Sequence, residues 1–135
     1  MSHLQYFSYP DQGAVIADNA HYSQAVRVNG RIECAGQGGW DPKTGEISEN
    51  IHAEIDQAFA NVDINLKHAG GKGWSQAFRV TAYSTDLNEK VFLRLKENLE
   101  KWCPDHKPIL TGFGVSQLGL LGMRIEIEVV AHDGK

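Results

Sequence analysis

The stretch GMRIEIEVVAHDG, residues 122–134, decides the fold, because it combines a strand pattern with two carboxylates. Successive side chains of a β-strand point to opposite faces of the sheet. One face of this strand is apolar and holds Ile125, Ile127 and Val129. Glu126 and Glu128 share the opposite face with Val130. The pattern predicts a strand over residues 123–131 that packs its apolar face on the rest of the fold and carries two acids on the other.

The size and composition of the chain predict one globular domain, residues 1–135. Its 135 residues are 41% apolar and 22% charged, which is enough for one hydrophobic core. A formal net charge of -4 gives no electrostatic reason to expect a nucleic-acid partner. No stretch reaches the roughly 20 apolar residues that span a bilayer, and the first ten residues lack a secretory pattern. We therefore expect a cytoplasmic protein without a membrane partner, with Cys34 and Cys103 as reduced thiols.

Turn and capping residues divide the chain into strands and helices. Asn29-Gly30 predicts a hairpin turn between two short strands. Asn50 predicts the start of a helix that ends at Gly70-Gly71, and a second helix begins near Asn88 and stops before Pro104. A short N-terminal strand is left open, and the remaining strands are predicted over residues 77–85, 110–118 and 123–131. This order predicts an α+β two-layer sandwich, with two helices on one face of a mostly antiparallel sheet.

The sheet face opposite the helices mixes polar and apolar side chains. In residues 77–85 the alternation sets Thr81 and Tyr83 against an apolar face that holds Phe78, Val80 and Ala82. Thr81 and Tyr83 then lie on the same side as Glu126 and Glu128. Plain exposure to water is one explanation for such a face. Burial in an oligomer, with polar side chains in clefts between subunits, is the alternative that the mixed pattern favours.

No motif predicts a cofactor or a metal. The glycines of residues 36–39 do not fit a dinucleotide-binding fingerprint, and those of residues 70–73 do not fit a phosphate loop. The six histidines lack the spacing of a metal site. His52 and Asp56 lie one helical turn apart, which a solvated helix face explains.

Simple packing and catalysis both remain open for the residues that could carry chemistry. Glu126 and Glu128 could be a solvent-facing strand edge, or one of them could be a cleft carboxylate whose desolvation raises its pKa so that it passes protons. Cys34 in a hairpin strand is expected in the core rather than as a nucleophile. Tyr22 has packing as its default role.

Five segments resemble the Rid family, also called the YjgF family or reactive intermediate deaminases. They occur in family order and read AHYSQAVRVNGRIECAGQ (20–37), DPKTGEI (41–47), RVTAYSTDLN (79–88), GVSQL (114–118) and GMRIEIEVVA (122–131). The resemblance implies a chorismate-mutase-like fold and a homotrimer whose sheets form a central barrel, with small-molecule clefts between subunits. It also implies hydrolysis of enamines and imines without cofactor or metal.

The resemblance assigns roles to individual residues. Glu126 takes the place of the glutamate that positions the attacking water or handles its proton, and Glu128 that of a more structural acid. Tyr22 corresponds to the tyrosine that lines the cleft. Gly36 and Gly112 correspond to positions whose backbone groups meet the ligand, the latter from the adjoining subunit.

One position departs from the family pattern. Deaminating members carry an arginine at the start of the penultimate strand, where its fork binds the substrate carboxylate. Aligning GFGVSQL places Leu110 there, and the loss of such a charged pair costs about 2–5 kcal/mol. Activity on 2-imino acids is therefore in question. Arg94, near a position that borders the cleft, could supply a cation, whereas an exposed helix position is its simpler explanation.

We therefore predict a hydrolase or deaminase that acts on a small imine, enamine or related activated carbon–nitrogen compound rather than on standard 2-imino acids. Catalysis is assigned to Glu126 and Tyr22, and substrate binding involves Gly36, Leu110, Gly112 and Arg94. A non-catalytic trimer that binds a metabolite or a protein partner is the alternative. Ribonuclease activity is a weaker one, which the acidic balance of the chain disfavours.

Overall fold

The structure is a computed structural model and describes residues 1–134. A short 3-10 turn, Gly73–Gln76, precedes the fourth strand. The helices and strands, in chain order, are β1 (Gln5–Phe7), α1 (Gln12–Ala20), β2 (Ala25–Val28), β3 (Arg31–Cys34), α2 (Ile51–His68), β4 (Ala77–Ser84), α3 (Glu89–Trp102), β5 (Ile109–Gly114) and β6 (Ile125–His132).

All six strands form one sheet in the order β1-β2-β3-β6-β4-β5. Only β4 and β5 pair in parallel, and the other neighbours are antiparallel, so the prediction of a mostly antiparallel sheet is confirmed. A parallel pair needs a crossover connection, which α3 provides between β4 and β5. As a result β4 separates the last two strands of the chain.

The predicted turns and caps are present. Asn29 and Gly30 have φ angles of 49° and 75°, the two positive values that the hairpin between β2 and β3 requires. The Asn50 side chain accepts a hydrogen bond from the Ala53 amide at 3.1 Å and caps α2. Asn88 caps α3 in the same way, accepting from the Val91 amide at 2.9 Å.

Both long helices bury their apolar stripes against one face of the sheet. The stripe of α2 is inaccessible to solvent at Ile55, Ala58, Val62 and Leu66. In α3, Val91 and Leu95 join the same core cluster. The apolar side of β6 completes this core with Ile125, Ile127 and Val129, as predicted.

The opposite face of the sheet carries the acids. Tyr83 pairs with Glu126, and Thr81 pairs with Glu128, in the register between β4 and β6. Directly paired residues of an antiparallel ladder project to the same side of the sheet. The structure therefore places all four side chains on the face away from α2 and α3, as the alternation predicted. We call this surface the open face.

One helix was missed, and two predictions about the strands were wrong. Helix α1 was not predicted, because its sequence carries no clear apolar stripe and buries only Gly13 and Ala17. Strand β5 ends at Gly114 rather than at residue 118, since its partner β4 ends at Ser84, which pairs with Gly114. Phe78 is exposed, because a register shift between Ala77 and Arg79 places Ala77 in the core instead.

Within residues 1–134, no helix is both long and apolar enough to cross a membrane. Cys34 and Cys103 are both free and buried.

Candidate functional site

Glu126 and Gly36 meet where the segment after β3 crosses β6. The backbone of Gln37 pairs with Ile127, with N–H to O distances of 2.8 and 2.9 Å in the two directions. This isolated bridge holds Gly36 beside Glu126. A Cβ atom on Gly36 would lie 2.6 Å from Cγ of Glu126 and would overlap its carboxylate. Glycine is required at position 36 because the glutamate occupies that space.

The environment of Glu126 favours its protonated form. The side chain is half-buried in β6, and burial is the main reason that its pKa lies above the ordinary value of 4.5. The second reason is the like charge of Glu128, two residues away on the same face. Glu128 accepts a hydrogen bond from the Tyr83 hydroxyl at 3.2 Å, which holds that second acid in place.

Tyr22 follows directly after α1. His21 ends this helix in a left-handed conformation with φ of 59°, and the Tyr22 amide donates to the Ala17 carbonyl at 3.0 Å. Burial raises the pKa of Tyr22, a hydrogen bond from Gln24 lowers it, and the charge of Glu126 raises it again. The structure therefore brings Gly36 into contact with Glu126, and it places Tyr22 within electrostatic range of the same carboxylate.

Leu110 and Gly112 belong to a different surface of the same chain. Leu110 pairs with Val80, and Gly112 pairs with Ala82, in the parallel register of β4 and β5. Val80 and Ala82 are buried beneath the helices, so the Leu110 side chain also projects toward the helix side of the sheet, as would a side chain at position 112. Leu110 lines an apolar groove of about 790 Å³ between α3 and β5. Within one chain, neither residue shares the open face with Glu126.

Arg94 is engaged by two acids on the helix layer. Its Nη2 lies 2.6 Å from Oδ2 of Asp56 in α2, and its Nη1 lies 3.0 Å from Oε2 of Glu97. The side chain of Asn98 also donates to Asp56 at 2.8 Å. Asp56 therefore serves an ion pair rather than a ligand set with His52. The structure does not bring Arg94 together with Glu126.

Cys34 belongs to the core. It is 5% exposed, and burial raises the pKa of its thiol to about 12, so the nucleophilic thiolate does not form near neutral pH. Among residues 1–134, no three His, Cys, Asp or Glu side chains are grouped as ligands for a metal ion.

Two polar features beside the site were not predicted. A chain of hydrogen bonds connects Trp40 through Tyr9, Gln37 and Gln24 to Tyr22. Except for the bond between Gln24 and Tyr22, the bonded residues are 13 to 31 positions apart in sequence, so no local pattern connects them. The other feature is an ion pair between Glu54 and Arg124, two residues before Glu126. The only sequence signal for either was the glutamine that follows Gly36.

Comparison with known proteins identifies the family of the chain. The family model described as Endoribonuclease L-PSP matches residues 13–133. A RutC family protein of Aquifex aeolicus (strain VF5) is 41% identical over 112 residues, which cover 82% of this chain and 86% of the relative. The 2-iminobutanoate/2-iminopropanoate deaminase of Homo sapiens is 34% identical over 114 residues, or 84% and 80% of the two chains.

A solved structure shares the fold as well as part of the sequence. The crystal structure of RidA from the Antarctic bacterium Psychrobacter sp. PAMC 21119 aligns with a TM-score of 0.75 and 31% identity, over 82% of this chain and 87% of that one. The chain belongs to the Endoribonuclease L-PSP family, that is, the YjgF/Rid family. The predicted family membership and α+β fold are confirmed.

Proposed function

We propose that the protein hydrolyses a small imine, enamine or related activated carbon–nitrogen compound, with Glu126 handling the proton of the attacking water. The observation that carries this proposal is the carboxylate of Glu126 in the space left by Gly36, half-buried and with a raised pKa. A carboxylate in such surroundings suits general acid–base work near neutral pH. The family also contains proteins named imine deaminases.

The reaction needs one proton to be taken up and later returned. As the water oxygen bonds to the carbon of the C=N group, Glu126 accepts a proton from the water. With a protonated C=N group, this addition gives a neutral carbinolamine. The carboxyl group then returns its proton to the nitrogen and the C–N bond breaks, so that ammonia or an amine leaves. The hydroxyl group becomes the carbonyl as its remaining proton passes to the ionised Glu126 or to the departing ammonia or amine. Tyr22 orients the ligand by hydrogen bonding, and the backbone at Gly36 lies beside it. No cofactor or metal enters this scheme.

We further propose a homotrimer in which the groups of two chains complete each site. Leu110 and Gly112 face the helix side of the sheet, whereas Glu126 lies on the open face. Residues on opposite sides of one sheet can serve one ligand only if β5 of a second copy approaches Glu126 of the first. The mixed polarity of the open face, which includes the stacked rings of Tyr83 and Phe113, supports its burial between copies.

The substrate we propose lacks an α-carboxylate. Leu110 offers no charge at the position where the family resemblance places an anion-binding arginine. Arg94 is held by Asp56 and Glu97, so its charge is already neutralised. A substrate carboxylate beside Leu110 would lose its water without gaining the two parallel hydrogen bonds that an arginine at this position would donate, which is unfavourable. Standard 2-imino acids are therefore expected to be poor substrates.

Turnover on two kinds of imine tests the function. Imino acids generated in place by an amino-acid oxidase are compared with imines that lack a carboxylate, and ammonia release is measured. We expect faster turnover of the carboxylate-free imines and a loss of about 100-fold or more in Glu126→Gln. Glu46→Gln removes an exposed acid of the loop before α2 and serves as the matched control. Equal rates that do not depend on Glu126 would contradict the proposal.

Two further measurements separate the alternatives. Sedimentation should give a mass of three chains of 14.9 kDa each, and a monomer would contradict the shared site. If candidate imines raise the melting temperature but release no product, the protein is a receptor rather than an enzyme. In that case Glu126→Gln should bind these compounds as well as the wild type does.

A further inference from the structure

Four buried side chains connect the core to the hydroxyl group of Tyr22. Trp40 Nε1 donates to the Tyr9 hydroxyl at 3.0 Å, and this hydroxyl donates to Oε1 of Gln37 at 2.6 Å. Nε2 of Gln37 donates to Oε1 of Gln24 at 2.8 Å, and Nε2 of Gln24 donates to the Tyr22 hydroxyl at 3.3 Å. All four residues before Tyr22 are at most 2% exposed. We call this series the amide relay.

The direction of every bond in the amide relay is fixed by its first member. An indole N–H can only donate, so the Tyr9 oxygen accepts from Trp40 and the Tyr9 proton is free to go to Gln37. To accept that proton, Gln37 must turn its carbonyl oxygen toward Tyr9. The Gln37 amino group must then face Gln24, whose own carbonyl oxygen receives it.

Two backbone carbonyls pin the same orientation independently. Nε2 of Gln37 also donates to the Ala35 carbonyl at 3.0 Å, and Nε2 of Gln24 also donates to the Gly13 carbonyl at 3.0 Å. A carbonyl can only accept, so turning either amide over would set two acceptors against each other in a buried place. Such an arrangement is strongly unfavourable. The relay therefore has one direction.

We propose that Gln24 and Gln37 are positioning residues that make the Tyr22 hydroxyl a hydrogen-bond donor to the bound ligand or its water. Because the Tyr22 oxygen accepts from Gln24, its own proton is not used within the relay and points away from it. The statement about bond direction stands by itself, whereas the statement about the ligand rests on the proposed function.

Gln37 also couples this donor to the acid. Its backbone N–H and carbonyl pair with Ile127, the residue between Glu126 and Glu128. Its side chain sets the orientation of Gln24 and so of Tyr22. One residue thus fixes the place of the proton acceptor, Glu126, and the direction of the proton donor, Tyr22. The resulting division of roles matches addition of water, in which one group takes a proton while another polarises the electrophile.

A substitution that reverses the last bond tests the inference. Gln24→Glu has the shape of glutamine, and its ionised carboxylate can only accept, so at a pH where this carboxylate is ionised the Tyr22 proton would turn inward. We expect kcat to fall about 10- to 100-fold with a smaller change in KM. In the Tyr22→Phe background the same substitution should cause no further loss. Gln12→Glu, on α1, makes the same change at an amide that donates to the Lys43 carbonyl on the surface, and it is the matched control.

A second arm does not need turnover. In protein labelled with ¹³C at tyrosine Cζ, the pKa of Tyr22 is measured by NMR, with Tyr22→Phe providing the assignment. Gln24→Met removes the donor at nearly constant volume, so the pKa of Tyr22 should rise above that of the wild type. An unchanged pKa of Tyr22 in Gln24→Met would overturn the inference. So would a fall in kcat that Gln24→Glu causes equally in the wild type and in Tyr22→Phe. If the wild type shows no turnover, the proposed function fails, and this arm still decides the direction of the relay.

Discussion

Arg124 binds Glu54 through both its side chain and its backbone. The guanidinium Nε lies 2.7 Å from Oε1 of Glu54, and the Arg124 amide donates to Oε2 at the same distance. The Glu54 side chain is inaccessible to solvent. Arg124 also donates to the Ser48 carbonyl at 2.8 Å. This ion pair therefore fastens the start of β6, just before Glu126, to α2 and to the loop that precedes α2.

Loss of this ion pair should destabilise the protein more than loss of an exposed one. In Arg124→Met the buried carboxylate of Glu54 loses its cation, and we expect the free energy of unfolding to fall by about 3 kcal/mol. Arg94→Met, which breaks an ion pair with a more exposed acid, should cost less than about 1 kcal/mol. Urea unfolding measures both values. Equal losses would show that burial of Glu54 is not the cause.

The pH dependence of turnover should report the charge of Glu128. Glu126 must be ionised to accept a proton from water, so kcat/KM should rise as the pH rises through the pKa of Glu126. Glu128→Gln removes the like charge, which lowers the pKa of Glu126 and moves this acidic limb to lower pH. Burial, the larger cause, remains, so the shift is partial. Glu46→Gln, which removes an exposed acid of the loop before α2, should leave the limb in place. An unmoved limb in Glu128→Gln would contradict the assignment.

The same group should make the free energy of unfolding fall as the pH rises, whereas it makes turnover increase. Folding raises the pKa of Glu126, so the folded state binds its proton more tightly than the unfolded state does. The resulting stabilisation is fully present below the ordinary pKa of 4.5 and is lost as the pH rises through the raised value. Glu126→Gln cannot ionise, so its stability relative to the wild type should increase across this window. Urea unfolding from about pH 4 to about pH 8 would reveal a constant difference if the pKa were not raised.

Gly36→Ala should impair the site through a single methyl group. The added Cβ would overlap the Glu126 side chain and force it out of its place. We expect turnover to fall about 100-fold and the free energy of unfolding to fall by about 1–3 kcal/mol. Gly119→Ala is the matched control, since a Cβ there would meet no atom within 4 Å. Retained activity in Gly36→Ala would place the reaction elsewhere.

Leu110→Arg should change the preference between substrates. If β5 of a second copy borders the site, an arginine at this position can bind a substrate carboxylate through two hydrogen bonds. We expect the ratio of turnover on 2-imino acids to turnover on carboxylate-free imines to rise about tenfold or more, since such a contact contributes at least about 1.4 kcal/mol. Leu110→Met controls for the loss of leucine itself. An unchanged ratio would separate Leu110 from the site.

Local signals predicted the fold well where they were strong, as at the two asparagine caps and the Asn29-Gly30 turn. Helix α1 was not predicted because it buries only Gly13 and Ala17 and so has no apolar stripe. It packs instead through Gly13, which lies against the ring of Tyr9. Phe78 was assigned to the core because strict alternation cannot foresee a bulge. For Phe78 the missing information lies in the pairing of β4 with β6, which is distant along the chain.

The residues of the candidate site also differ in how far the sequence alone could predict them. Glu126 stood out as a carboxylate in an apolar strand, but Tyr22 and Gly36 were connected to it only by resemblance to a family. The amide relay could not be predicted, since glutamines at positions 24 and 37 are ordinary surface residues by type and become structural only when both are buried. Positions 110 and 112 could be assigned to the helix side of the sheet only from the register of β5 with β4.

Strand β5 lies at one edge of the sheet, beside β4, and all six of its residues are exposed. An uncovered strand of this kind is a template on which other polypeptides can add, and it makes a lone chain prone to aggregate. In the trimer proposed above, a second copy would cover this strand. Substitutions that weaken association between copies should then lower the yield of dispersed protein before any effect on the chemistry can be measured.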